Sequence, residues 1–318
     1  MHDDGMSGVS CYRPAAYSKD RGGSGNSATI ACWVLNMHPV LIELTHPPIS
    51  ILSYHAMIAL SVLVGVSIGP RWAHGLEGID VSRARVALLT LAVPIFVAGR
   101  LHYVLNQWSV FSDEPLMALR IWSGGLHAGG AMLALALSTP VVLRSLHLPL
   151  GKFADGVTPV IGVCIAVARL GCFLHGCCFG VVCHWPWCFT FPSASVVYQY
   201  HASIGLVPPG ATNSEPVHAL QLYFALAGLL IAAVALRLRR RKRYDGQPAL
   251  VGLVLFSGSA AALEFLRANQ PSRKYWSNLP QLEWTALAML VASLSALAIV
   301  EICRRRQVTS THASCARQ

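Results

Sequence analysis

Seven times along the chain a run of apolar residues persists for about the 20 positions that a helix needs to cross roughly 30 Å of hydrocarbon. The runs lie near residues 50–70, 86–106, 125–143, 153–175, 217–237, 249–267 and 282–302. An open sheet would leave its backbone polar groups unsatisfied in lipid, so the pattern predicts an all-α, polytopic membrane protein, a bundle of about seven transmembrane helices. Between the fourth and fifth runs, residues 172–216 predict a small cap on one face of the bundle, and residues 37–302 form the transmembrane domain as a whole.

Outside those runs the picture changes at both ends. Residues 1–36 are Gly/Ser-rich, lack the basic-then-apolar order of a signal peptide, and read as a disordered extension or a misassigned start. Residues 303–318 read as a short, solvated basic tail. Of the 318 residues 54% are hydrophobic and only 12% charged, which excludes an ordinary soluble domain.

Positive charge is concentrated in alternate connections: Arg71, Arg83 and Arg85; Arg144 and Lys152; Arg237 to Arg243 (RLRRRKR); and Arg304 to Arg306. No Lys or Arg occurs between Arg169 and Arg237. The asymmetry predicts that the basic connections are cytoplasmic, with the amino terminus outside and the carboxyl terminus inside. The net charge of +10 is then a topology signal that also attracts anionic headgroups, and implies no nucleic-acid partner.

Three arginines sit within or at the edge of predicted spans: Arg100 in GRLHYVL, Arg169 in ARLGC and Arg267 in LEFLR. A cation at membrane depth costs about 3 kcal/mol or more, so such residues face a cavity or a partner. All three fall in the outer halves of their spans, where they could converge on one anion; a phosphate matches the guanidinium fork. Local pairing, such as Arg267 with Glu264 one turn away, is the plainer reading of each alone. The segment IWSGGLHAGGAM (Ile121 to Met132) places His127 among four glycines, which argues against a stable helix start and offers a proton acceptor near neutral pH.

Taken in order, MHPVLIEL (Met37 to Leu44), SYHAM (Ser53 to Met57), GRLHYVL (Gly99 to Leu105), EPL (Glu114 to Leu116), IWSGG (Ile121 to Gly125), RLGCFLHGCCFG (Arg169 to Gly180), WPWCFTFP (Trp185 to Pro192), HALQLY (His218 to Tyr223) and LEFLR (Leu263 to Arg267) resemble the prolipoprotein diacylglyceryl transferase family. The resemblance supports Met37 as the start. It implies an enzyme of the bacterial inner membrane, with the cap in the periplasm, that transfers the diacylglyceryl group of phosphatidylglycerol to the lipobox cysteine of prolipoproteins and releases glycerol phosphate. Its partners are then phosphatidylglycerol, prolipoprotein signal peptides and membrane lipids, with no cofactor and no metal. Arg169, His127 and Arg267 carry over as catalytic candidates. Arg100, Tyr103, Tyr54, Gly124, Gly125, Gly171, Gly176, His218, Gln221, Tyr223 and Glu264 carry over as candidates that bind the lipid or acceptor.

The chain also departs from that pattern. Cys172 and Cys177 stand where the family carries Asn and Glu, Ala260 where it carries Arg, Ala219 where it carries Pro, and Phe224 where it carries an acidic residue; the histidine segment is one residue shorter. Six of ten cysteines fall between Cys164 and Cys188, beside His175 and His184. Buried thiols, disulfides of the outer loop and a metal or redox site all remain open, although Cys177 and Cys178 are awkwardly adjacent for one tetrahedral centre. The rival functions are accordingly a membrane metal-binding or thiol-redox protein on the same scaffold, or a relative that binds anionic lipid without turnover.

Overall fold

The computed structural model describes residues 40–45, 48–120, 125–268, 275–276 and 279–315. The extension read from residues 1–36 and the last three residues of the tail lie outside them. Seven helices are long and apolar enough to cross a membrane: α1 (Ser53–Glu77), α2 (Val81–Asn106), α3 (Ala128–Ser145), α4 (Leu150–His175), then, after the short α5 (Val196–Ser203), α6 (Leu220–Arg239), α7 (Gln247–Glu264) and α8 (Gln281–Cys315). Two antiparallel ribbons, β1 (Val40–Thr45) with β2 (Pro48–Leu52) and β3 (Tyr275–Trp276) with β4 (Leu279–Pro280), precede α1 and α8. The polytopic helical bundle expected from the apolar runs is present. Its helix α8 continues to Cys315, through the segment read as a solvated tail, because nothing from Arg304 to Cys315 breaks a helix.

The helices pack as a row. α3 lies on α2, α2 on α1, α1 on α4, α4 on α6, α6 on α7 and α7 on α8, with α4 also touching α7. Small residues permit the closest approaches: a Cβ on Gly228 would sit 2.6 Å from the Gly162 carbonyl oxygen, so α4 and α6 cross with their backbones nearly touching. Large apolar side chains such as Leu63, Val93, Leu226 and Val291 point outward, as the lipid-facing surface of a bundle requires. This is a multi-pass membrane protein.

One end of the row is closed by charge. The buried Asp155 on α4 accepts from the backbone N–H groups of Gly246 (2.8 Å) and Ala249 (3.1 Å) and pairs with Lys242 Nζ at 3.2 Å. Lys242 also meets Glu77 at 2.6 Å and Asp245 at 2.9 Å, and Arg239 donates to the Leu76 carbonyl at 3.0 Å. Burial opposes the Lys242 charge, but its three carboxylate partners outweigh that and hold its ammonium above the usual lysine range. The run RLRRRKR thus does more than signal topology, since it ties the ends of α1, α4 and α6 to the start of α7.

At the other end the chain between α4 and α6 builds a cap around Phe173, Phe179, Phe191, Val197 and Val217. Its backbone is a small irregular sheet. Residues 179–181 pair on one side with 266–268, through Val181 N–H to Leu266 O (2.8 Å), and on the other with His218. Gly180 sits in the middle, where a Cβ would lie 2.7 Å from the His218 Cβ and 2.8 Å from the Leu266 carbonyl oxygen. A disulfide joins Cys183 to Cys188 in the same cap.

Candidate active site

The site begins at the last turns of α4. Arg169 and Cys172 are three residues apart and therefore share a helix face. Gly171 between them lets α1 approach, since a Cβ there would stand 2.6 Å from the Met57 Cβ. That approach brings Tyr54 within electrostatic reach of Arg169 and of Cys172, Cys177 and Cys178.

How α4 ends decides where the next cysteines go. Gly176 takes a left-handed conformation (φ 71°), its N–H donates to Phe173 O at 3.1 Å, and the Cys177 N–H reaches back to Cys172 O at 3.1 Å. This double bond pattern is a Schellman stop, for which glycine is the preferred residue. It sets Cys177 beside Cys172. Cys178 then adopts φ 60°, rare for a non-glycine residue, and the Sγ atoms of Cys172, Cys177 and Cys178 come within 4.8 Å of one another. Hydrogen bonds from the Cys172 and Cys177 thiols, aided by the Arg267 and Arg169 guanidinium groups, hold the Cys178 thiol well below the usual cysteine range despite its burial.

Arg267 arrives from the far end of the sequence. α7 stops at Glu264, and the next residues pair with 179–181 of the cap, which sets the Arg267 guanidinium against Cys178. The guanidinium also pairs with Glu264 at 3.1 Å, the local pairing anticipated from the sequence. Arg169 differs. Among the described residues it has no carboxylate partner, and its guanidinium lies over the Phe224 ring at 4.3 Å. The aromatic residue at the position where the resemblance implies an acidic one is thus the group against which this arginine lies. Gln221, fully buried, donates to the Cys177 carbonyl at 2.6 Å, and its Oε1 has no hydrogen bond among the described residues. His218 Nδ1 and the Tyr223 hydroxyl are 3.2 Å apart.

A second group forms between α2 and α3. Arg100 donates to the carbonyls of Ala118 (2.9 Å), Gly125 (3.0 Å), Met117 (3.2 Å) and Arg120 (3.2 Å), and stacks near Tyr103 and Phe111. Four carbonyls around one guanidinium make it a clamp on residues 117–120 and on Gly125. Gly125 (φ 88°) lies against the Tyr103 ring, where any Cβ would collide. Gly124 lies outside the described residues. His127, expected in a segment unsuited to start a helix, caps α3 instead: its Nδ1 accepts from Gly129 N–H at 3.2 Å. His102, not singled out in the sequence although it lies in GRLHYVL, stacks on the His127 ring at 4.1 Å. The structure therefore brings together Arg169, Arg267, Tyr54, Glu264 and Gln221 around the thiols. It places Arg100, Tyr103, Gly125 and His127 in a separate group on α2 and α3.

Comparison with known proteins shows the family. A family model described as prolipoprotein diacylglyceryl transferase matches residues 39–299. Among relatives, the phosphatidylglycerol–prolipoprotein diacylglyceryl transferase of Synechococcus elongatus is 28% identical over 216 residues, covering 68% of this chain and 70% of the relative. The protein of the same name from Dehalococcoides mccartyi is 30% identical, over 68% of this chain and 77% of its own length. That of Sinorhizobium medicae is 24% identical over 83% of this chain and 91% of the relative.

Proposed function

This chain belongs to the prolipoprotein diacylglyceryl transferase family, and from that premise we propose that it transfers the diacylglyceryl group of phosphatidylglycerol to the lipobox cysteine thiol of prolipoproteins. In the step, the acceptor thiolate forms a C–S bond to the glyceryl carbon as the C–O bond to phosphate breaks. The oxygen keeps the electron pair and leaves as glycerol phosphate.

One observation carries this reading: a membrane-embedded arginine, Arg169, with no carboxylate partner among the described residues, held by an aromatic face beside a second arginine, Arg267. Charge develops on phosphate oxygen as the bond breaks, and preorganised guanidinium donors in a dry pocket stabilise it. Tyr54, Gln221, His218, Tyr223 and Glu264 border or support the lipid-phosphate pocket, with Gln221 holding the Cys177 carbonyl from within the core. Gly171 and Gly176 shape the backbone.

His127 enters this scheme through the family resemblance, as the titratable side chain of the second group on α2 and α3; its Nδ1 accepts from Gly129 N–H, which orients the ring at the start of α3. Arg100 positions the His127 segment through its carbonyl clamp, with Tyr103 and Gly125 as its walls. The chain resides in the inner membrane, with the cap outside, the Asp155 end in the cytoplasm and the amino terminus outside.

Complementation of a bacterium depleted of its own diacylglyceryl transferase tests the proposal. Rescue of lipoprotein modification by the wild-type chain, and its loss in Arg169→Ala, is the expected result. A well-expressed wild-type chain that gives no rescue refutes the activity; full rescue by Arg169→Ala refutes the site.

A further inference from the structure

We propose that Cys172, Cys177 and Cys178 bind one divalent thiophilic ion such as zinc or cadmium, whose remaining coordination position is open to a fourth thiol. Geometry is the first reason. Three thiolates around an ion with metal–sulfur bonds of about 2.3 Å lie about 3.8 Å apart. The three Sγ atoms here are already within 4.8 Å of one another, so small rotations close the site.

The backbone is built for the same end. In extended chain, adjacent side chains point to opposite sides, which is why neighbouring cysteines rarely share a centre. Here Gly176 folds Cys177 back onto Cys172, and Cys178 takes the left-handed φ of 60°, a conformation that non-glycine residues rarely adopt. Gln221 then holds the Cys177 carbonyl at 2.6 Å. An odd number of thiols cannot pair off among themselves, while the cap closes its own pair between Cys183 and Cys188.

Charge points to a divalent ion. Three thiolates on such an ion leave one negative charge and Glu264 adds a second; Arg169 and Arg267, both acting on Cys178, supply two positive ones. The buried group is then neutral, as burial demands. Three protein sulfurs also leave a tetrahedral ion one position short, and a thiol that takes it loses its proton outright. On the transferase reading, the acceptor cysteine is the thiol that arrives there. Coordination releases its proton to water and leaves the thiolate that attack requires, beside a Glu264 already paired with Arg267.

The test uses the full chain, reduced, in detergent and free of histidine tags, titrated with cobalt(II) and cadmium(II). One ion per chain with a sulfur-to-cobalt charge-transfer band is expected. Cys172→Ser, Cys177→Ser and Cys178→Ser should each weaken binding at least tenfold, and Cys164→Ser should not. Iodoacetamide labelling of the unsubstituted wild-type trio, blocked by prior cadmium, gives a readout that does not depend on variants folding. A fully reduced wild-type chain that binds no ion, or binding unchanged in the three variants, overturns the site. A lipobox peptide should shift the cobalt spectrum and its Cys→Ser counterpart should not. An unchanged spectrum on a bound ion overturns the open position alone. Complementation judges the transferase activity separately.

Discussion

The two ends of α4 treat buried charge in opposite ways. At its start, Asp155 is surrounded: two backbone N–H groups and the Lys242 ammonium saturate the carboxylate, and Glu77 and Asp245 share the same lysine. Near its end, Arg169 lies on the ring of Phe224 with no carboxylate partner among the described residues, facing thiols and a second arginine. Saturated charge locks helices together, and unsaturated charge held in place is available to a substrate. On the proposed function, stability resides at the first end of the helix and chemistry at the other.

The sharpest way to break this contrast is at the closed end. Asp155→Ala removes one partner of a buried network and should cost about 3–5 kcal/mol. Denaturation in detergent micelles should show it, while the fraction still folded keeps its per-molecule transfer rate. At the open end the expectation reverses: Arg169→Ala should lower transfer roughly 100- to 1000-fold, the loss typical of one oxyanion-type donor. It should lower the melting temperature far less than Asp155→Ala does, because the one contact it removes is the stacking on Phe224 between α4 and α6. A large drop in stability there would make it a structural residue.

Phe224→Leu sharpens the same point, because it keeps apolar bulk while removing the π face. A desolvated cation–π contact is worth about 2 kcal/mol, so kcat should fall by a factor of roughly ten to thirty with little change in KM. Equal activity in wild type and variant would mean that Arg169 is held by something else. The smallest effect concerns the cap. Burial pushes the His201 pKa down, and its Nδ1 has no hydrogen bond among the described residues. Its contribution to stability is therefore complete above the unfolded histidine value of about 6.5 and declines as the pH falls from there toward the folded value. Hydrogen exchange in α5 should quicken across that window by a few-fold, and His201→Gln should flatten the response.

Much of the bundle was legible because its signals are local. Each span is an uninterrupted apolar run, and the Gly176 stop follows from a glycine after the last helical residue. The pairing of Arg267 with Glu264 is one turn long and equally readable. The expectation that three arginines meet was harder, because their distance apart depends on how helices pack. Arg169 and Arg267 do share Cys178, while the Arg100 donors go to four carbonyls of a neighbouring loop. Phe224, which the sequence marked only as standing where the family carries an acidic residue, is the support of Arg169, a role that appears only when α6 is set against α4.

What the sequence determined by itself was therefore the membrane-spanning architecture and the chemical vocabulary of the site: cations at depth, glycines at close approaches, thiols in one short stretch. These follow from solvent transfer and local backbone preference, which act over a few residues. Only the tertiary structure decided which charges are saturated. Asp155 meets Lys242 across 87 positions, and Gln221 meets the Cys177 carbonyl across 44. Such contacts arise where packed helices bring distant residues together, and it is there that Cys172, Cys177 and Cys178 become one cluster between two arginines.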